Sequence, residues 1–161
     1  MESGLITSLK VSPGGAYDGR YLRPLIEADR RKGIPVQTVA GDRGYDDGEN
    51  HAYLEAQGMH SALRLNAYRT EKKDAHKRLW LKLMSDPFYE AGLKVRGRIE
   101  RVFGEGKGGH GLGRCRYLGL ARYGVQAYLT AIVINLKQMV RQLTGVALKD
   151  DTKPKLKLQA A

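Results

Sequence analysis

The sequence predicts an α/β protein in which strands and helices alternate along the first 65 residues. Three observations support this fold class. Short apolar stretches typical of strands lie between stretches with the 3.6-residue period of an amphipathic helix. Glycine or proline marks most boundaries between them. The resulting order of strand, helix, strand, helix, strand is typical of a layered α/β sheet, and a chain of 161 residues fits one domain.

The first predicted elements follow one another closely. Leu5 to Val11 is predicted as a strand, and a Ser-Pro-Gly-Gly turn follows it. Asp18 is predicted to cap a helix that runs to about Lys32, because aspartate accepts hydrogen bonds from the free amides of a first helical turn. Gly33 ends this helix, and the next short strand is predicted at residues 36–40.

The remaining elements are mostly helical. A helix is predicted from Gly48 to Gln57, and a third strand from Ser61 to Leu65. Residues 66–89 are expected to be helical in part, and two helices follow at about 92–105 and 121–143. The last helix is predicted to bury one broad apolar face. That face consists of Val125, Tyr128, Leu129, Ile132, Val133, Leu136, Met139, Val140 and Leu143.

The charge balance favours a polyanionic partner. The chain has 28 lysines and arginines against 17 aspartates and glutamates, a net charge of +11. Nucleic acid is the first candidate, because basic surfaces bind it through Coulomb attraction and counterion release. A membrane is not expected, since the sequence has neither a long apolar run nor a signal-peptide pattern. Cys115 is the only cysteine, so we expect a reducing, cytoplasmic environment.

Two acidic residues lie where a catalytic group is expected. Asp42 follows the strand predicted at residues 36–40, and functional groups of α/β sheets lie at the carboxyl ends of strands. Glu100 lies in a later predicted helix, at the edge of an apolar stripe. Taken alone, Asp42 is more commonly a turn former, and Glu100 is more commonly half of an exposed ion pair with Arg96. The stripe consists of Val95, Ile99, Val102 and Phe103.

Both residues lie in blocks that resemble the DDE transposases of bacterial insertion sequences. Residues 40–46 (Ala-Gly-Asp-Arg-Gly-Tyr-Asp) are similar to the A-D-x-G-Y-D/S block around the second catalytic aspartate of that family. The later cluster resembles its Y-x-x-R-x-x-x-E-x-x-x-x-x-x-K signature. Arg96, Glu100 and Lys107 fit this spacing, whereas Leu93 stands at the tyrosine position.

The resemblance extends outward from both blocks. Residues 11–18 are similar to the family's P-G-N-x-H-D turn, and residues 99–119 resemble I-E-R-x-F-G-x-x-K-x-x-x-G-L-x-R-x-R-Y-x-G. Residues 128–136 resemble the closing L-x-A-x-x-x-N-L helix. The similarity therefore covers about residues 5–143, and two blocks in the correct order and spacing are a fairly specific match.

The resemblance implies an RNase H-like mixed sheet flanked by helices and a two-metal DNA cleavage and strand-transfer reaction. Asp42 and Glu100 would be two of three carboxylates that bind Mg²⁺ or Mn²⁺. Arg96 and Lys107 would contact DNA phosphate near the transposon end, and the other partner would be target DNA. Further basic residues would extend this DNA-binding surface: Arg98, Arg101, Arg114 and Arg116.

One expected ligand has no counterpart. In the family the first aspartate lies on a strand two strands before the position of Leu5 to Val11, so Met1 is expected to begin inside the domain. Asp18 is the nearest upstream acidic residue, although it matches the aspartate of the pre-helix turn. We therefore predict an N-terminally truncated catalytic domain at residues 1–145 and a disordered tail at residues 146–161.

Three functions remain open at this point. The first is a DDE transposase fragment that cleaves and joins DNA, with little activity of its own because two carboxylates bind Mg²⁺ weakly. The second is a DNA-binding remnant without catalysis. The third is a different RNase H-like nuclease, such as a resolvase, which the arginine, glutamate and lysine spacing disfavours. An incomplete sheet would expose a strand edge, so self-association or a dimer is also expected.

Overall fold

The computed structural model describes residues 4–66 and 73–145. The chain divides into two compact units. The first unit comprises residues 7–100, and the second comprises the segment before residue 7 together with the chain from residue 101 onward. The predicted disordered tail at residues 146–161 lies outside the described residues.

The first unit contains most of the regular structure, and its α/β character is confirmed. From the first predicted helix onward, its helices and strands alternate in the order that the sequence predicts, and short 3-10 helices precede α1 and α2. The bounds are 3-10 helix Asp18–Tyr21, α1 Leu22–Arg31, β1 Thr38–Gly41, 3-10 helix Arg43–Tyr45, α2 Gly48–Ala56, β2 His60–Leu63, α3 Lys73–Met84 and the start of α4 Pro87–Gly109.

The sheet of the first unit has two parallel strands among the described residues, β1 and β2. Thr38 is paired with His60, and Gly41 with Leu63. The connection between them is α2, which Asp47 begins by accepting a hydrogen bond from the Glu49 amide at 3.0 Å. This strand, helix, strand unit places the carboxyl ends of both strands at the same edge of the sheet.

The core of the first unit lies on both sides of β2. Leu63 packs with side chains of α1 and α2, whereas Ala62 packs with Leu83 of α3 and with Tyr89 of α4. Because successive strand residues point to opposite faces, β2 is covered on both faces. The first of these clusters contains Leu22, Ile26, Leu54, Met59 and Leu63.

Two predictions for the start of the chain are wrong. Leu5 to Val11 forms no strand in the structure, because a strand needs a neighbouring strand to bond to. Side chains hold this segment instead: in the first unit, Ser8 donates to Asp29 at 2.5 Å. Asp18 does not cap α1, since it begins a 3-10 helix and Tyr21 occupies the N-cap position of α1.

The later helices of the first unit are longer than predicted or were not located from sequence. α4 begins at Pro87, five residues before its predicted start at residue 92. Asp86 supports this early start by accepting a hydrogen bond from the Phe88 amide at 2.9 Å, and proline is favourable at the first position of a helix. Within the predicted partly helical region, α3 occupies Lys73–Met84.

The second unit contains the end of α4 and the long helix α5 Leu120–Thr144. The bounds predicted for α5 are confirmed to within one residue, but its predicted burial is wrong. The side of α5 that is buried carries Gly124, Ala127, Thr130 and Ile134. The apolar residues predicted to be buried are between 41% and 83% exposed: Val125, Tyr128, Leu129, Ile132, Val133, Leu136, Met139, Val140 and Leu143.

The extended segment before residue 7 is tied to α5 within the second unit. Asn135 donates through its side-chain amide to the Ile6 carbonyl and accepts from the Ile6 amide, both at 2.8 Å. None of the helices in residues 4–66 and 73–145 combines the length and the apolar character needed to cross a lipid bilayer.

Candidate functional site

Asp42 lies directly after β1, at the carboxyl edge of the parallel sheet. It is exposed, and its Oδ1 accepts a hydrogen bond from the Gly44 amide at 2.9 Å, which caps the 3-10 helix that follows. Gly41 brings this strand end close to β2, since a Cβ at Gly41 would lie 2.7 Å from Leu63 Cδ2. The sequence around Asp42 therefore presents a carboxylate on a tightly packed strand end.

Asp18 lies beside Asp42 in the structure. Oxygens of both carboxylates lie within 4 Å of the point that a Cβ on Gly44 would occupy, Asp42 Oδ1 at 3.1 Å and Asp18 Oδ2 at 3.6 Å. Burial raises the pKa of Tyr45, and the negative charges of Asp18 and Asp42 raise it further. The loop after β1 is therefore a region of negative potential, which favours cations.

The two acidic residues that follow in this loop have other partners. Asp46 is 4% exposed, and both of its carboxylate oxygens accept hydrogen bonds inside the first unit. Asp47 caps α2. Of the three aspartates from residue 42 to residue 47, Asp42 is therefore the exposed one that is not committed to a buried network or to an α-helix cap.

Glu100 lies on α4 and forms an ion pair with Arg96 at 3.0 Å. The Glu100 side chain is 64% exposed, so it does not lie at the edge of a buried face as the sequence predicts. The apolar stripe around it is also not buried, because Ile99 and Phe103 are 47% and 49% exposed. The helical register is correct, but the stripe does not face a core.

Gly92 sets the approach of α4 to the sheet in the first unit. A Cβ at Gly92 would lie 2.4 Å from Ala62 Cβ and 3.3 Å from Thr38 Cγ2, so α4 touches both strands at this point. Arg96 and Glu100 follow at intervals of four residues, about one helical turn each. Glu100 therefore extends from a helix that is anchored on the strand preceding Asp42.

Within the part of the chain that the structure describes, no group of three or more histidine, cysteine or acidic side chains is placed to hold a metal ion. The carboxylate that the structure brings beside Asp42 is Asp18. Glu100 instead forms an ion pair with Arg96.

The predicted DNA-contact residues are mostly exposed. In the first unit, Arg98 is exposed and Arg96 is 25% exposed. In the second unit, Arg116 packs beside Gly111, where a Cβ would lie 3.2 Å from the Arg116 guanidinium. All four basic residues predicted there are exposed: Arg101, Lys107, Arg114 and Arg116.

A charged cluster in the second unit was not anticipated from sequence. Lys137 forms an ion pair with Glu105 at 3.0 Å, and His110 lies 3.7 Å from the same oxygen. Burial alone would raise the pKa of Glu105, but the hydrogen bond and charge of Lys137, with the charges of Arg141 and His110, lower it below its ordinary value. This cluster joins the end of α4 to α5 by charge.

Sequence reasoning also missed the polar network behind Asp42. Asn50 donates to the carbonyls of Tyr45 and Gly19 at 3.0 and 3.1 Å. His51 bonds to both Asp46 and Ser61. The sequence signal that could have indicated this network was the placement of two polar residues on the first turns of α2, next to a loop that they can reach. It does not identify their partners.

Comparison with known proteins gives one family. The profile described as "Transposase DDE domain" matches residues 1–136, most of the chain. The transposase for insertion sequence element IS1106 of Neisseria meningitidis serogroup B is 26% identical over 145 residues, which cover 89% of this chain and 46% of that protein. The chain thus spans about half the length of this curated relative. No solved structure matches it significantly.

The matched range of the family profile includes the positions of both Asp42 and Glu100. Because the profile covers far more than half of the chain, the family assignment does not depend on a short motif. The chain belongs to the DDE transposases of insertion sequences.

Proposed function

We propose that this chain forms part of an RNase H-like catalytic domain that cleaves and joins DNA at transposon ends. The observation that carries this proposal is the position of Asp42 at the carboxyl end of a parallel strand, in a chain of the DDE transposase family. Catalytic groups of such sheets lie at this edge. The proposed domain comprises residues 1–145.

Asp42 and Glu100 are the proposed ligands of Mg²⁺ or Mn²⁺, and Asp18 is a candidate for a third carboxylate. Their oxygens are the hard donors that these ions prefer. The ion pair between Glu100 and Arg96 does not prevent this role, because an exposed pair of this kind contributes only about 0.3–0.5 kcal/mol. Divalent ions held by these carboxylates would polarise the phosphodiester and activate the attacking oxygen.

The basic residues of the chain provide the proposed contacts to DNA. Arg96 and Lys107 neutralise phosphates near the transposon end, and the exposed arginines of each unit add to this attraction. Arg96 lies one helical turn from Glu100, so it places a phosphate-binding group near a proposed metal ligand. Transposon ends and target DNA are the proposed partners. A chain that acts on bacterial chromosomal DNA works in the cytoplasm, at the nucleoid.

A second candidate function is DNA binding without cleavage. It is favoured by one observation: the described residues contain no group of three side chains placed to hold a metal ion. In this case the basic surface binds DNA, but the carboxylates do not support phosphodiester chemistry. Both candidate functions predict DNA binding, and only the first predicts DNA cleavage.

The test uses the full chain with labelled transposon-end DNA and either Mg²⁺ or Mn²⁺. Cleavage that is lost in both Asp42→Asn and Glu100→Gln supports the catalytic proposal. Glu90→Gln is the matched control, because Glu90 is an exposed glutamate of the same helix and should not affect cleavage. Binding without cleavage by the unmodified chain favours the second candidate, and absence of both contradicts both candidates.

Metal binding provides a separate measurement that does not require cleavage. The free Mn²⁺ signal in electron paramagnetic resonance reports how much ion the chain takes up. Asp42→Asn should weaken Mn²⁺ binding, since it removes a carboxylate from the negative loop after β1. Asp74→Asn, in the first turn of α3, is a control that should leave binding unchanged.

We further propose self-association through the sheet. Within the described residues, β1 and β2 pair with each other and with no third strand. Unpaired strand edges promote association of chains. Analytical ultracentrifugation over a range of protein concentrations tests this: a sedimentation coefficient independent of concentration, at the value of a monomer, contradicts it.

A further inference from the structure

Three buried side chains form a hydrogen-bonded relay behind the Asp42 loop. Asp46, His51 and Ser61 are 4%, 8% and 8% exposed. His51 Nε2 lies 3.1 Å from Asp46 Oδ1, and His51 Nδ1 lies 3.0 Å from Ser61 Oγ. Buried polar groups are costly unless they are hydrogen-bonded, and each of these three side chains has a partner.

The hydrogen bonds of the relay follow from the chemistry of its members. A carboxylate oxygen accepts, so His51 Nε2 donates to Asp46 Oδ1. A serine hydroxyl can donate or accept, so Ser61 can bond to His51 Nδ1 with or without a proton on that nitrogen. Serine, histidine and aspartate also form nucleophilic triads, but the burial of Ser61 on β2 keeps a substrate from its hydroxyl. The relay therefore has a structural role and not a nucleophilic one.

The relay joins the loop that carries Asp42 to two rigid elements. Asp46 ends the 3-10 helix that Asp42 begins, His51 lies on α2, and Ser61 lies on β2. The second oxygen of Asp46 accepts from the Asn66 amide at 2.6 Å. The loop end is thus bonded to a helix, to a strand and to the chain that leaves this strand.

We infer that the Asp46, His51 and Ser61 relay positions Asp42, and that Asp46 itself is not a metal ligand. This inference rests on the proposed role of Asp42 in binding a divalent cation. Both Asp46 oxygens are used inside the first unit, whereas Asp42 is exposed. A carboxylate on a short loop binds a cation well only if the loop is held in the binding conformation, and partners behind the ligands commonly supply this.

The relay is tested with His51→Gln and Ser61→Ala in the full chain. Two readouts are measured in each variant: Mn²⁺ affinity and hydrogen exchange of the Gly44 amide, which is bonded to Asp42 Oδ1. We expect Mn²⁺ affinity to fall roughly tenfold or more in His51→Gln, and Gly44 exchange to become faster in both variants. Ser85→Ala is the matched control, since the Ser85 hydroxyl bonds to the Lys82 carbonyl away from the loop.

A second amide separates positioning from a general loss of stability. The Met59 amide donates to the Leu54 carbonyl beyond the other end of α2. Faster exchange at Gly44 with unchanged exchange at Met59 supports the inference. Equal acceleration at both amides, or no change at Gly44, overturns it. If His51→Gln does not fold, Ser61→Ala decides the result by the same criteria.

The proposed function and the relay can fail separately. If Asp42→Asn leaves Mn²⁺ binding unchanged, the metal-binding role of Asp42 is wrong, whereas Gly44 exchange still reports whether the relay holds the loop. If Asp42→Asn abolishes binding but both relay variants bind Mn²⁺ normally, only the relay inference is wrong.

Discussion

Replacing Gly92 by alanine should destabilise the first unit, whereas the same replacement at Gly97 should stabilise it. Both glycines lie in α4. Around Gly97 a new Cβ meets no atom within 4 Å, but at Gly92 it would lie 2.4 Å from Ala62 Cβ. Ala62 is fully buried on β2, and its Cβ cannot move without moving the strand. The two positions therefore separate helix propensity from packing.

The magnitudes follow from these contacts. Alanine is more favourable than glycine inside a helix by about 0.8–1.0 kcal/mol, and Gly97→Ala should gain most of this. Gly92→Ala gains the same amount but overpacks the contact between α4 and the sheet, which typically costs about 1–3 kcal/mol. The contact of 2.4 Å lies well inside normal carbon contacts, so we expect the upper part of that range and a net loss of about 1–2 kcal/mol.

Urea unfolding followed by circular dichroism, with Trp80 fluorescence as a probe within the first unit, measures both variants. Gly97→Ala should raise the urea midpoint, and Gly92→Ala should lower it. Gly92→Ala should also weaken Mn²⁺ binding if Glu100 is a ligand, because displacement of α4 shifts Glu100 relative to the sheet. Equal stabilisation by both substitutions would refute the close packing of α4 on β2.

Three further results are expected. Glu105→Gln should lower the free energy of unfolding by about 1–3 kcal/mol at neutral pH. Since the pKa of Glu105 is lowered in the folded chain, this contribution is fully present above the unfolded pKa and is lost as pH falls through the folded pKa, so a difference between variant and parent that does not shrink as the pH is lowered contradicts the ion pair. Asp47→Ala should cost about 1 kcal/mol through loss of the α2 cap, and an unchanged urea midpoint contradicts this. Lys107→Gln should reduce the slope of log K for DNA binding against log salt concentration by about 1. Lys10→Gln, an exposed control in the first unit, should leave this slope unchanged. Equal reductions in both variants would mean that Lys107 contributes only nonspecific charge.

Sequence patterns predicted the helices whose ends are determined by neighbouring residues. The predicted bounds of α2 agree with the structure to within one residue, and local features determine both of its ends: Asp47 caps the start, and Gly58, at φ +65°, follows the last turn. The start of α4 could also have been found, since Asp86 and Pro87 form a cap and a favourable first position. The charged composition of the preceding segment obscured this signal.

Features that depend on distant partners were not predictable in this way. The alternation of Leu5 to Val11 is compatible with a strand, but the segment itself does not specify a neighbouring strand. The position of Asp42 after β1 followed from the strand order. Its proximity to Asp18 and the relay through His51 did not, because these contacts join residues from separate elements without a periodic pattern.

The inverted burial of α5 has a consequence for how substitutions in this helix should be interpreted. In most helices the bulky apolar positions are the ones that tolerate least change. Here Leu136 is 55% exposed, whereas Ala127 is 5% exposed. Trimming Leu136 removes little packing from this chain, and enlarging Ala127 crowds a filled space. If the exposed bulky residues of α5 tolerate few substitutions, the reason is therefore a requirement other than the stability of this polypeptide. If its buried small residues tolerate few substitutions, the reason is folding.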